Sequence, residues 1–222
     1  MIDQTLLVRR IASLQPYETI WQEMRAFTDA RLETTPDELW LLEHAPVFTQ
    51  GQNGKPEHIL KKTHIPIVQT DRGGQVTYHG PGQLMIYTLI NLKRKKWQVR
   101  ALVTLLEKTI IDLLMDLELS AYSKTDAPGI YIKVQGEETK ICSIGLRIRR
   151  GCSYHGLAFN IAMEMTPFSL INPCGFNKLK MSQVRDFMPT ITMEQIMGLL
   201  IEHLKKHLDY TTIHTFNHLP GQ

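Results

Sequence analysis

Three stretches of this chain carry side chains able to do chemistry. In "INPCG" (171–175) Cys174 stands between Pro173 and Gly175. A cysteine in such a loop is placed to present its thiol to a ligand, whereas a structural thiol usually sits in an apolar strand or helix. The amide of Gly175 offers a donor for an oxyanion. The other reading, a buried loop cysteine, stays open. In "KICSIGLRI" (140–148) strand alternation sets Lys140 on one face with Cys142, Ile144, Leu146 and Ile148. If that face is the core, desolvation disfavours the charged amine and lowers its pKa toward that of a useful base. If Lys140 only opens the strand at its rim, it snorkels to water.

The third stretch, "RGGQVTYHGPGQ" (72–83), holds four glycines between apolar runs. It lacks the G-x-x-x-x-G-K-[ST] of a phosphate loop and the G-x-G-x-x-G of a dinucleotide turn, and a strand rather than a helix follows it. Two readings remain. Gly73 and Gly74 supply positive φ for tight turns, or the missing side chains leave a groove in which an extended ligand lies against backbone. In the second case Arg72, Gln75 and His79 supply polar contacts, although His79 also suits a hydrogen-bonded structural histidine. Cys152 and His155 form a C-x-x-H fragment with no second ligand pair at zinc-like spacing, so no metal site and no cofactor are expected.

The elements that must position these residues follow from periodicity. Strands are expected at 6–14, 38–44, 65–70, 75–79 and 83–92. The last three are punctuated by Gly-Gly and Gly-Pro-Gly as in a meander. Helices are expected at 17–33, with Ile20, Met24, Phe27 and Arg31 on one face, and at 98–117. Short strands follow at 129–134, 139–148 and 153–161, then a loop over 166–190. A last helix over 193–208 is opened by the capping box of Thr192 and Gln195. Interspersed strands and helices make the chain α+β (mixed α/β), and no linker divides residues 1–222.

A net charge of +3 is too mild for a nucleic-acid binder, and no apolar run is long enough to span a membrane. The N-terminus reads as a strand rather than a signal peptide. Three irregularly spaced cysteines argue for a reducing compartment, hence a cytoplasmic protein.

Taken together and in order, "RGGQVTYHGPGQ", "KICSIGLRIRRGCSYHGLAFN" and "INPCG" closely resemble the octanoyl-[acyl-carrier-protein]–protein N-octanoyltransferases of lipoate biosynthesis. The resemblance runs from the first strand to about residue 190. It implies a biotin/lipoate protein ligase-like fold, a mixed sheet flanked by helices with a smaller second sheet. It implies an acyltransferase with a Cys/Lys dyad: an acyl-thioester on Cys174, assisted by Lys140. The implied acyl pocket is built from Arg72, Gly73, Gly74, Gln75, Val76, Thr77, Tyr78 and His79, from Ser143, Ile144 and Gly145, and from Gly156, Leu157 and Ala158. The implied donor is octanoyl-acyl carrier protein. The implied acceptors are lipoyl domains of 2-oxoacid dehydrogenases and the glycine cleavage H protein. Cys142 stands where this family more often has alanine, which adds a second thiol near the site. Both protein substrates are typically acidic, so the basic segments at 92–100 and 147–151 are candidate docking surfaces. An ATP-dependent ligase of the same fold, a non-catalytic acyl- or lipoyl-domain-binding module, and His79 as the base remain as alternatives.

Overall fold

The computed structural model describes residues 5–177 and 179–218. Position 178, inside the expected loop, and the outermost residues of the expected single domain lie outside the described part.

The described residues form twelve strands: β1 (Thr5–Gln15), β2 (Asp37–His44), β3 (Val47–Gln50), β4 (Ile67–Gln69), β5 (Val76–His79), β6 (Gln83–Leu89), β7 (Ala121–Ser123), β8 (Gly129–Val134), β9 (Glu137–Arg149), β10 (Cys152–Asn160), β11 (Lys180–Met181) and β12 (Thr212–His218). Four α-helices accompany them: α1 (Tyr17–Ala30), α2 (Leu92–Lys95), α3 (Val99–Asp116) and α4 (Met193–Leu208). The large mixed sheet runs β12-β1-β2-β6-β10-β9-β8-β7, with β11 alongside β9; β4-β3-β5 make a small second sheet.

The central strands are apolar on both faces because both are covered. Leu39 and Leu41 of β2 and Leu84 and Ile86 of β6 pack with α3 and α4. Their alternates Trp40, Leu42, Met85 and Tyr87 pack with Ile20 and Met24 of α1 on the opposite face. Helix α4 buries Ile196, Leu200, Leu204 and Leu208 at four-residue spacing. Its expected capping box is formed: Gln195 N donates to Thr192 Oγ1 (3.2 Å) and Thr192 N donates to Gln195 Oε1 (3.0 Å). Helix α1 stops at Ala30, short of the expected end. Arg31 there turns inward to Asp37 (2.6 Å) and the Leu89 carbonyl (2.6 Å).

The expected meander does not form. β4 and β5 both flank β3, parallel and antiparallel respectively, while β6 crosses Gly80-Pro81-Gly82 into the large sheet between β2 and β10. The junction therefore sets the two sheets side by side and opens a cleft between them.

Candidate active site

That cleft is a cavity of about 450 Å³, floored by β9 and β10 and walled by the 72–75 loop, β5 and the 173–175 turn. Of the residues expected to build a site, Arg72, Gly73, Gly74, Gln75, Thr77, His79, Lys140, Ser143, Ile144, Gly145, Gly156, Leu157, Ala158 and Cys174 line it. Val76 and Tyr78 do not. Strand alternation turns them to the opposite face of β5, where they join Phe48 and Phe168 in the core of the small sheet.

Lys140 and Cys174 meet on the cavity wall. Lys140 Nζ donates to Cys174 Sγ (3.4 Å) and to the Pro128 carbonyl (3.1 Å), and lies over the Tyr131 ring (4.9 Å to its centre). Lys140 is only 1% exposed, yet it does not share a face with Cys142. Pairing between β8 and β9 sets Tyr131 against Lys140 and Ile130 against Cys142, skipping Ile141. This bulge resets the alternation. It sends Lys140 into the cavity and Cys142 into the core among the α3 and α4 leucines. Buried there, the Cys142 thiol has its pKa pushed far up and is no rival nucleophile.

The proton on Lys140 also differs from the expected base. Burial works to lower its pKa, but attraction to Cys174 and Tyr131 outweighs burial and raises it above the ordinary lysine value. The Lys140 amine is aimed at the Cys174 sulfur.

Cys174 itself lies in left-handed backbone (φ 57°, ψ 16°), which costs a non-glycine residue about 1–2 kcal/mol. Gly175 follows at φ +78°. Its N–H donates to the Asn172 carbonyl (2.9 Å) and closes the turn, so it is not the free oxyanion donor suggested by its position.

The glycine loop is held from within. Arg72 donates through Nε and Nη2 to Thr49 Oγ1 (3.0 and 2.8 Å), through Nη2 to the Thr49 and Gln75 carbonyls (2.6 and 2.8 Å), and through Nη1 to the Gly73 carbonyl (2.8 Å). Gly74 takes the positive φ (+84°) that the turn requires; Gly73 does not. Gly73 instead closes on β9, its N–H on the Leu146 carbonyl (3.0 Å), over the gap left by Gly145.

His79 is fully engaged: Nε2 on Thr49 Oγ1 (3.0 Å), Nδ1 on Gln83 Oε1 (2.8 Å), and its ring stacked on Tyr17. Burial first, then repulsion from His44 and Arg72, holds it neutral well below the usual histidine range. Both of its ring nitrogens are bonded within the protein.

The sequence reading missed the groups behind this wall. Pro128 and Tyr131 position Lys140, and no local pattern marks either. His155, in left-handed backbone (φ 59°), bonds Asp71 (2.9 Å), which Tyr154 and Trp21 also reach (2.5 and 2.8 Å). Burial opposes ionisation of Asp71, but these donors prevail and hold its carboxyl well below the usual range. The run Tyr154-His155-Gly156 was the available signal.

The chain matches the lipoyl protein ligase A/B catalytic domain model over residues 15–205. It is 50% identical to an octanoyltransferase of Histophilus somni over 223 residues, covering 97% of this chain and 100% of the relative. The chain belongs to this family. Solved structures extend the family fold beyond recognisable sequence. A bipartite lipoate protein ligase of Thermoplasma acidophilum superposes with a TM-score of 0.74 at 16% identity, over 98% of this chain and 88% of that one. A biotin protein ligase of Aquifex aeolicus superposes at 0.51 and 10% identity, over 92% of this chain and 70% of that one. Within the lipoyl protein ligase A/B family, then, this chain has the expected architecture: one large mixed sheet flanked by helices and one small sheet. Among the described residues no helix is long and apolar enough to cross a membrane.

Proposed function

We propose that this chain transfers an octanoyl group from octanoyl-acyl carrier protein to a lysine of lipoyl domains, through a thioester on Cys174. The observation that carries the reading is the 3.4 Å contact from Lys140 Nζ to Cys174 Sγ, on the wall of a cavity large enough for a short acyl chain.

With the Cys174 proton passed to Lys140, the sulfur attacks the donor thioester as thiolate. As the tetrahedral intermediate collapses, the donor C–S bond breaks and Lys140 delivers its proton to the departing pantetheine sulfur. Lys140 is now neutral. In the second half the acceptor amine attacks the Cys174 thioester, Lys140 takes the ammonium proton that forms, and Cys174 leaves as thiolate. The dyad ends as it began. The buried Arg72 guanidinium, beside Cys174, keeps positive potential over the site throughout. A thioester becomes an amide, so the exchange is downhill without a nucleotide.

Each methylene in the cavity is worth about 0.8 kcal/mol, so two carbons give only about tenfold discrimination unless a wall stops the chain. Acceptors on this reading are the lipoyl domains of 2-oxoacid dehydrogenases and the glycine cleavage H protein, and the enzyme works in the cytoplasm with its cysteines free. The basic segments offer less docking charge than the sequence implies. Arg94 pairs with Asp37 (2.6 Å), Arg149 with Asp29 (2.6 Å), and Lys95 donates to the Leu208 carbonyl (3.1 Å).

Intact-mass spectrometry after mixing with octanoyl-acyl carrier protein tests the proposal. One octanoyl adduct is expected in the native chain and in Cys142→Ala, and none in Cys174→Ser. An adduct that survives Cys174→Ser overturns the cysteine route. Product formed only from free acid and ATP assigns the chain to a ligase instead.

A further inference from the structure

Away from the cavity, α3 and α4 bring four ligand-type side chains together. Asp112 and Asp116 stand one turn apart on α3, and His203 and His207 one turn apart on α4, in "HLKKH". The i, i+4 spacing puts each pair on one helix face, the arrangement by which two helical histidines share a metal. His207 Nε2 meets Asp112 Oδ2 at 2.8 Å and His203 Nε2 meets Asp116 Oδ2 at 2.7 Å. The two imidazoles are nearly parallel, 6.2 Å apart. One ligand atom from each of Asp112, His203 and His207 lies within 4.8 Å of the other two.

Two ion pairs would account for the Nε2 contacts alone. They do not account for His203 Nδ1. A carboxylate only accepts, so in the neutral ring the Asp116 contact places the proton on Nε2 and leaves Nδ1 as a lone pair. That nitrogen is shut off from solvent and has no partner. A metal-bound histidine has this pattern: one nitrogen free for the ion, the other donating to a carboxylate that fixes the ring.

We propose that His203, His207 and Asp112 bind a divalent transition-metal ion between α3 and α4, with Asp116 orienting His203. Two imidazoles and one carboxylate suit zinc, cobalt, nickel or copper rather than magnesium or calcium. At His207 the ion replaces the Nε2 proton that now bridges to Asp112, and that proton leaves to solvent. The site is structural. None of the four residues lines the cavity, but α3 reaches it through Val99 and Val103, so a staple on α3 stiffens one cavity wall. The sequence reading weighed a metal only at Cys152 and His155; these ligands lie elsewhere.

The test uses the untagged full chain, stripped with chelator and titrated with Co²⁺. One equivalent should raise the visible absorption of a four- or five-coordinate ion, and excess Zn²⁺ should lift Tm by about 5 °C while Mg²⁺ leaves it unchanged. Both responses should persist in Cys174→Ala and Cys152→Ala and vanish in a His203→Gln/His207→Gln double variant, whose amides can still bond the aspartates. No Co²⁺ band and no Zn²⁺ shift in the native chain overturns the site, as does Co²⁺ binding retained by the double variant. Both readouts are independent of acyl transfer, so the site stands or falls apart from the catalytic proposal.

Discussion

The two loops that face each other across the cavity are held by opposite means. The 72–75 loop is tied by a buried guanidinium that makes five hydrogen bonds, and Gly74 supplies the one positive φ there without steric cost. The 173–175 turn places a non-glycine residue in left-handed backbone. The side-chain contact recorded for Cys174 is one long hydrogen bond from a lysine. On the proposed function, one loop sets where a ligand lies and the other holds the attacking sulfur partly exposed. Positional accuracy is built from saturated polar contacts, and reactivity from a group whose contacts are left unsaturated.

Removing the guanidinium should damage the first loop most. Arg72→Met takes the guanidinium donors from the buried Thr49 carbonyl and hydroxyl and from the partly buried Gly73 and Gln75 carbonyls, at about 1–3 kcal/mol each, a loss of roughly 5 kcal/mol in urea unfolding. A loss below about 1 kcal/mol would mean that the loop holds itself. Lys140→Ala acts on the other side. On the proposed mechanism it should cost about 10³-fold in transfer, roughly 4 kcal/mol of barrier, because no group then returns the proton to the leaving sulfur. Single-turnover kinetics should show both half-reactions slowed. If only the second slows, Lys140 is a base and not the initial acid.

How much of this contrast can be read from sequence depends on the range of the forces involved. β10 and α3 are legible because their apolar patterns are local. β3 is not: "VFTQ" is four residues long, and its partners β4 and β5 arrive from the far side of a loop. β12 pairs with β1 from the opposite end of the chain, beyond the reach of any periodicity. The cavity residues are legible as blocks of glycine and polar side chains. The face of Lys140 is not, because a bulge at Ile141 leaves no mark in a binary pattern. The sign of its pKa shift depends on a sulfur 34 positions away, and burial alone points the wrong way.

The rigid side continues beneath the loop. His44 is fully buried, with Nδ1 at the Gln15 carbonyl (2.9 Å) and Nε2 at the Tyr87 hydroxyl (2.6 Å). Burial, aided by repulsion from His155, pulls its pKa from 6.5 down to about 4. Above pH 6.5 neither the folded nor the unfolded chain protonates this ring, and its contribution to stability is intact. Between pH 6.5 and 4 only the unfolded chain takes up the proton, so stability falls, by roughly 3 kcal/mol in all. Urea midpoints across that window should drop steeply in the native chain and less steeply, by about one proton, in His44→Gln. Equal slopes would remove His44 from the rigid floor.

The smallest effect probes the strained turn directly. Cys174→Gly deletes the thiol, which on the proposed mechanism abolishes transfer, but the same substitution removes the Cβ that makes φ 57° unfavourable. Against this gain stand the greater freedom of glycine in the unfolded chain, about 0.5–1 kcal/mol, and the lost contact to Lys140. Relief of about 1–2 kcal/mol should prevail by a fraction of a kcal/mol, giving a Tm equal to or slightly above that of the native chain. Cys174→Ala keeps the Cβ and the strain while losing the same contact, so it should melt below Cys174→Gly. The order of the two melting temperatures is the decisive readout, because both variants lack the thiol and differ in backbone preference. Alanine above glycine would show that the turn is not strained at Cys174. The contrast between the two loops would then rest on hydrogen bonding alone.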